Sequence, residues 1–337
     1  MLHLDNLPYN NYTHSMSTYD PGVEANNNCI SLHRNENLFV DPLFLSNLAI
    51  QASKEVHFNF YPDSTSYELR KMIGAYHNHP PEEIYIGNGA DGVLADLFQL
   101  FREQYDEMGL QPCTYQVYPY LCKRYNYTPK NLYETNQLWV IDSPSAITGE
   151  LYDFSNQSLN PETLIWDNVY SEFVDINQPS PKHANLIKIH SFSKFYALAS
   201  LRIGYCIANS ELILKLLQRK DIFNVNAFAQ KMAILALNNQ EYFNSLVTKM
   251  LDSKARLSKE LSQLGFVLSN AKTNFLWITH PKIPMKWLQN ELNKDSILVR
   301  RFELPLLQNF LRITVPPQHI RDELIKKIKD KINIFSS

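Results

Sequence analysis

The chain has 337 residues, and at roughly 100–200 residues per domain this suggests about two domains. Apolar residues make up 45% and charged residues 20%, ordinary globular proportions that exclude disorder, collagen-like repeats and coiled coil. Lys and Arg number 32 against 34 Asp and Glu, a net charge of −2 with no charge block, so nucleic acid is not an expected partner.

The opening residues, Met1 to Pro8, lack a basic region followed by an apolar core, so no secretory leader is expected. No apolar run approaches the ~18 residues of a membrane span, and a soluble, cytoplasmic protein without membrane contact is expected. Residues 1–35 read as an N-terminal arm, polar, rich in Asn and Tyr and irregular over its first 30 residues. After Tyr61-Pro62-Asp63, the spacing of Thr65 and Glu68 predicts a capping box. It opens a helix whose inner face carries Leu69, Met72, Ile73 and Tyr76. Glu83 to Ile86 reads as a strand, and Val93, Leu94, Leu97, Phe98 and Phe101 stripe the next helix. Further short apolar runs lie at 138–141, 164–166 and 186–189. Strands alternating with helices predict an α/β large domain over 36–240, with a mainly parallel sheet flanked by helices. In such sheets the ligand sits beyond the carboxyl ends of the strands. From 241 the pattern changes to a long charged helix near 241–264, a strand at 275–278 and a short helix near 285–294. Runs at 297–299 and 311–315 and a basic helix at 323–332 complete a smaller α+β C-terminal domain, 241–337.

Cys29, Cys113, Cys122 and Cys206 are widely spaced with no Cys-x-x-Cys pair, which suits reduced thiols rather than a disulfide frame or a zinc site; no metal is expected. Glycine occurs only 9 times, less than half its usual share of about 7%. Three of those glycines fall in Gly87-Asn88-Gly89-Ala90-Asp91-Gly92, which satisfies the dinucleotide fingerprint G-x-G-x-x-G. No acidic residue closes a second strand about 20 positions on, and Asp91 would set a carboxylate against a pyrophosphate, so a nicotinamide cofactor is disfavoured. What survives is a strand-to-helix turn whose free N–H groups and helix dipole favour a phosphate; the plainer alternative is a tight turn that needs glycine.

The strongest signal runs from Ser191 to Tyr205. A strand delivers Ser191, Ser193 and Lys194 to its end, and Arg202 follows. Lys194 is hemmed by Phe192, Phe195, Tyr196 and Leu198, where desolvation lowers an amine's pKa and frees it for Schiff-base chemistry. Ser191, Ser193 and Arg202 would complete a phosphate cradle begun at Gly89, Ala90 and Asp91. Asp167 ends another strand with Tyr170 three residues on; such a carboxylate holds a pyridine nitrogen protonated, although an isolated aspartate is more often a turn or helix cap. Phosphate cradle, amine, carboxylate and phenol together are what pyridoxal 5′-phosphate requires.

From about residue 30 to 316 the chain resembles the fold-type-I pyridoxal-phosphate enzymes of aminotransferase class I/II, in particular histidinol-phosphate aminotransferases and threonine-phosphate decarboxylases. The resemblance is carried, in order, by Leu32–Asn37, Tyr61–Asp63, Gly87–Asp91, Thr114–Pro119, Asp167–Tyr170, Ser193-Lys194 to Arg202, Phe223–Asn226 and Leu311–Thr314. It implies that Lys194 binds the cofactor as a Schiff base and later moves the proton, that Asp167 pairs with the ring nitrogen, and that Tyr170 serves the ring hydroxyl. It implies further that Tyr115 stacks on the ring, while the N–H groups of Ala90 and Asp91 with Ser191, Ser193 and Arg202 hold the phosphate. Arg312, Arg300 and Asn35 are the implied substrate contacts. Tyr61 would cross to the phosphate of a neighbouring subunit, implying a homodimer with its active site at the interface. The chain departs from the family at Ala146, where an asparagine normally serves the ring hydroxyl, at His190 in place of arginine, and at Ser200 in place of glycine. The implied activity is transfer of an amino group between an amino acid or amino-alcohol phosphate and a 2-oxo acid. The alternative is decarboxylation of an amino-acid phosphate or other carbanion chemistry. A cofactor-binding sensor is disfavoured because no basic helix-turn-helix segment precedes the domain.

Overall fold

The computed structural model describes residues 29–155, 161–174, 180–304 and 306–336; the irregular arm expected over residues 1–28 lies outside them. The first described strand, β1 (Ile30–Leu32), does not stand apart as an arm. It pairs in parallel with Ile297–Val299, near the far end of the chain. Helix α1 (Pro42–Glu55) opens with proline in its first turn and the Asp41 carboxylate accepting from the N–H of Leu43.

Helix α2 (Tyr67–His77) corrects the capping prediction. Thr65 does not cap it. Asp63 does, accepting from the N–H of Thr65, the hydroxyl of Thr65 and the N–H of Tyr67 at 2.8, 2.8 and 2.7 Å. A carboxylate satisfies several orphan donors at once and carries the charge that a helix N-terminus favours, so it displaces the hydroxyl. Leu69 and Ile73 are buried as expected, but Tyr76 is exposed and Arg70 is buried instead. The Arg70 guanidinium is satisfied by the carbonyls of Pro81 and Ile84.

The large sheet has seven strands: β2 (Ile84–Asn88), β3 (Glu107–Leu110), β4 (Thr128–Asn131), β5 (Leu138–Asp142), β6 (Thr163–Asp167), β7 (Leu186–Ser191) and β8 (Ile203–Ile207). Their order is β2-β8-β7-β6-β5-β3-β4, and β8 alone runs against its neighbours. Residue alternation divides the core between the two faces. Ile84 and Ile86 pack with α2 and α6 (Ala227–Asn238), while Tyr85 packs with α3 (Gly89–Phe101), α4 (Val117–Arg124) and α5 (Ser210–Arg219). Val93, Leu94, Leu97 and Phe98 are completely buried, at about 1.5–3 kcal/mol each. This burial fixes α3 against the sheet and so fixes the turn at its N-terminus.

The 24-residue α7 (Gln240–Gln263) leads to an antiparallel three-stranded sheet, order β12-β10-β9, of β9 (Val267–Leu268), β10 (Phe275–Thr279) and β12 (Leu311–Thr314). Helix α8 (Met285–Lys294), β11 (Ile297–Val299) and α9 (Gln318–Ser336) complete the chain. Among the described residues no helix is long and apolar enough to cross a membrane. In register, Asp142 and Asp167 end adjacent parallel strands, and Ser191 ends the next. Chemistry-bearing side chains therefore collect at one edge of the sheet.

Candidate active site

A cavity of about 660 Å³ opens at that edge, walled on its far side by Arg300, Phe302 and Arg312. Lys194 is the single lysine lining it among the described residues. The turn that carries Lys194 is held by Phe192, whose N–H donates to Ile203 and whose carbonyl accepts from Leu198. Phe192, Phe195, Tyr196 and Leu198 are all buried around it. The Lys194 amine donates to the carbonyl of Arg34 at 2.8 Å. Burial first, then the positive charge of Arg312, lowers its pKa to about 8, against the pull of Glu36 and Asp91.

Asp167 is buried at the end of β6. Its Oδ2 accepts from the Tyr118 hydroxyl at 2.7 Å and its Oδ1 from the N–H of Val169 at 3.2 Å. Burial pushes the carboxyl up to about 7; those hydrogen bonds oppose the shift and the neighbouring Asp142 adds to it. A carboxyl so placed demands a cation. Tyr118 was not singled out from the sequence; the available signal was its position one helical turn after Tyr115, which puts two phenols side by side. Their rings meet edge to face at 5.6 Å.

The turn expected to hold a phosphate lies at the N-terminus of α3. Gly89 has φ +76°, and a Cβ there would lie 2.7 Å from Nη2 of Arg202. A Cβ on Gly204 of β8 would collide with the amide nitrogen of Ala90. Glycine at both places lets the turn lie against β8 with Arg202 across its mouth. Asp91 contributes its side chain to this turn. Its carboxylate accepts from Arg202 Nη2 at 2.9 Å and from the Tyr115 hydroxyl at 3.3 Å, which aims the guanidinium. Ser191 Oγ accepts from the N–H of Ser193 at 3.1 Å. Both serines line the cavity with Ala90, Asp91, Tyr115 and Arg202.

Arg312 is caged. Its Nη1 donates to the Ala146 carbonyl at 2.6 Å and its Nη2 to the His33 carbonyl at 3.0 Å. Its guanidinium carbon lies 5.2 Å from the ring centroids of both Phe275 and Phe302. The N–H and C=O of Arg300 pair with those of Arg312 at 3.0 and 2.8 Å, which sets two guanidinium groups on one wall. Asn35 and Tyr170 line the cavity too, bonded to each other at 2.8 Å. Gly89 shapes the turn without lining the cavity. Tyr61 is not in the cavity; it is 83% exposed and stacks on Phe223 at 4.6 Å.

Residues 149–328 match the family model of class I and II aminotransferases. Over 92% of its length the chain is 33% identical to histidinol-phosphate aminotransferase 1 of Oceanobacillus iheyensis, covering 94% of that protein. The chain belongs to the class I and II aminotransferases. A second relative of this aminotransferase, the histidinol-phosphate aminotransferase of Lactococcus lactis, is 27% identical over 96% of this chain and 98% of its own. By fold alone, the aminotransferase is similar to the histidinol-phosphate aminotransferase of Sinorhizobium meliloti in complex with pyridoxal 5′-phosphate. That match has TM-score 0.81 at 20% identity, covering 90% of this chain and 91% of the other. The L-threonine-O-3-phosphate decarboxylase of Porphyromonas gingivalis superposes with TM-score 0.77 at 19% identity, over 90% and 99% of the two chains.

This aminotransferase is a transaminase dependent on pyridoxal 5′-phosphate, and its side chains suit that cofactor. An amine with a lowered pKa, a buried carboxyl with no cation beside it among the described residues, and an arginine oriented across a glycine turn meet at one cavity.

Proposed function

We propose that this aminotransferase acts in the cytoplasm as a homodimer, moving an amino group between an amino-alcohol phosphate of the histidinol-phosphate kind and a 2-oxo acid. The observation that carries the reading is the meeting of Lys194, Asp167 and the Gly89–Arg202 corner in one cavity, beside two guanidinium groups on its far wall. When bound there, pyridoxal 5′-phosphate supplies the electron sink that stabilises a carbanion at the substrate Cα. Lys194 holds the cofactor aldehyde and, with its pKa near 8, takes and returns a proton close to neutral pH. Asp167 faces the ring nitrogen, Tyr170 donates to the ring hydroxyl, and Tyr115 covers one face. The N–H groups of Ala90 and Asp91, with Ser191, Ser193 and Arg202, hold the phosphate. Tyr61, exposed on its own chain, would reach the phosphate of a second copy.

Arg312 and Arg300 suit a pair of substrates that each bring an anion to the same wall, a phosphate on one and carboxylates on the other. The curated relatives described above are named aminotransferases, whereas the phosphothreonine decarboxylase matches by fold only. Transfer is therefore preferred over decarboxylation. A donor screen of the yellow holoenzyme tests this. Histidinol phosphate should bleach the cofactor to its amine form without releasing carbon dioxide, and 2-oxoglutarate should restore the colour. Release of carbon dioxide from phosphothreonine with the yellow colour retained would replace this reading with the decarboxylase.

Arg312→Lys should raise the KM of the anionic substrate about 10–100-fold, with a smaller fall in kcat, since a lysine keeps the charge but loses the bidentate fork. It also loses the aromatic cage formed by Phe275 and Phe302. Steady-state kinetics with both substrates varied checks this; an unchanged KM for both would remove Arg312 from substrate binding.

A further inference from the structure

The hydrogen bonds around Tyr170 run in one direction, and Asn35 sets that direction. The N–H of Asn35 donates to Thr314 Oγ1 at 3.1 Å, so the Thr314 hydroxyl proton is free to serve another acceptor. That acceptor is Asn35 Oδ1, at 3.4 Å. With its oxygen turned toward Thr314, the amide presents its NH₂ to Tyr170, and Nδ2 donates to the phenol oxygen at 2.8 Å. The amide nitrogen is a donor only, so Tyr170 cannot give its proton back to Asn35. The charged groups facing Tyr170 are Arg312 from β12, which has no acceptor, and Asp167 and Asp142 at the ends of β6 and β5. Among the described residues these two carboxyls take their hydrogen bonds from Tyr118, Thr114, Ser145 and backbone N–H groups, and no bond from Tyr170 reaches them. The phenol proton is therefore left to the cavity. At residue 146 the same cavity is lined only by a methyl group, whose backbone carbonyl is taken by Arg312.

Asn35 is built to hold this pose. It is 1% exposed and adopts φ 57°, a left-handed conformation that asparagine tolerates better than most residues. The Asn274 side chain donates to its carbonyl at 3.0 Å. Its partners thus come from β12, from the start of β10 and from the loop after β6.

We propose that Asn35 is a positioning residue for the reaction. Its amide, oriented by Thr314, fixes the hydroxyl of Tyr170 as a donor into the cavity, toward the ring hydroxyl of the cofactor, a role separate from the substrate contact that the resemblance implies. The inference rests on the placement of Tyr170 given above, and the experiment separates the two. The readout is the pH midpoint of the visible absorption of the holoenzyme, which rises when a donor to the ring oxygen is lost. Asn35→Gly removes the amide without straining the left-handed backbone and should raise the midpoint by about one pH unit, a tenfold change in proton affinity. Tyr170→Phe should raise it at least as far, and the two substitutions together no further than Tyr170→Phe alone. Thr314→Val, which frees the amide to turn, should shift it in the same direction by less. An unmoved midpoint in Asn35→Gly beside a shifted one in Tyr170→Phe overturns the role of Asn35 and leaves Tyr170 in place. A full additional shift in the double variant overturns it also, because Asn35 would then act by another route. If Tyr170→Phe moves nothing, the placement of Tyr170 falls, and this inference with it.

Discussion

Lys194→Ala is expected to lower the transamination rate by at least about 10⁴-fold while leaving the fold intact, as judged by circular dichroism and the thermal midpoint. The loss is large because one side chain performs two tasks. It is the single amine among the described residues that line the cavity, so nothing there replaces it in tethering the aldehyde. It is also the base, a role worth about 10²–10⁴-fold on its own. With a pKa near 8 in place of 10.5, about 300-fold more of it is neutral at pH 7 than of an ordinary lysine. Lys194→Arg should lose as much, because a guanidinium stays charged. The check is kcat with a saturating amino donor, together with borohydride reduction, which should no longer fix the colour to the chain. Retention of more than a hundredth of the wild-type rate would remove Lys194 from its central place.

Asp167→Asn is expected to pull activity and stability in opposite directions. With no cation beside it among the described residues, the Asp167 carboxyl has its pKa raised from 3.8 to about 7 by burial. The folded protein then holds this proton more tightly than the unfolded chain does. Stability contributed by the neutral form is complete below about pH 4, declines as pH rises from 4 to 7, and is gone above 7. A shift of that size corresponds to on the order of 4 kcal/mol. An amide carries no such penalty. The cofactor-free Asp167→Asn protein should therefore be more stable than wild type above pH 7 and lose that advantage below pH 4, as denaturant titrations across this range would show. Turnover should fall by about 10²–10⁴-fold, since the ring nitrogen loses the carboxylate that keeps it protonated. Parallel stability curves for the two proteins would mean that Asp167 is not a penalised acid in the absence of the cofactor.

Local pattern made much of this protein legible from its sequence. The stripe from Val93 to Phe101, the apolar runs ending at Asp142, Asp167 and Ser191, and the helix from Met285 to Lys294 all follow from residue period. Lys194 stood out because apolar neighbours flank it along the chain. What escaped depends on residues far apart in sequence. Tyr118 meets Asp167 across 49 residues, and Asn35 meets Tyr170 across 135. The cage of Arg312 needs Phe275 from one strand and Phe302 from a loop. Reversal of β8 within an otherwise parallel sheet leaves no mark on its apolar pattern. At α2 the competition was local: two acceptors lay within reach of the same N–H groups, and the charged one prevailed.

Residues 33–35 grip three separate parts of the site: the His33 carbonyl holds Arg312, the Arg34 carbonyl holds Lys194 and the Asn35 amide holds Tyr170. This segment is anchored by the pairing of Ile30 with Ile297. On the ribosome, Ile30 must wait for Ile297, 267 residues further along the chain, roughly 13 to 53 s at about 5–20 residues per second. Until then the nascent polypeptide has a largely formed sheet but no finished catalytic centre.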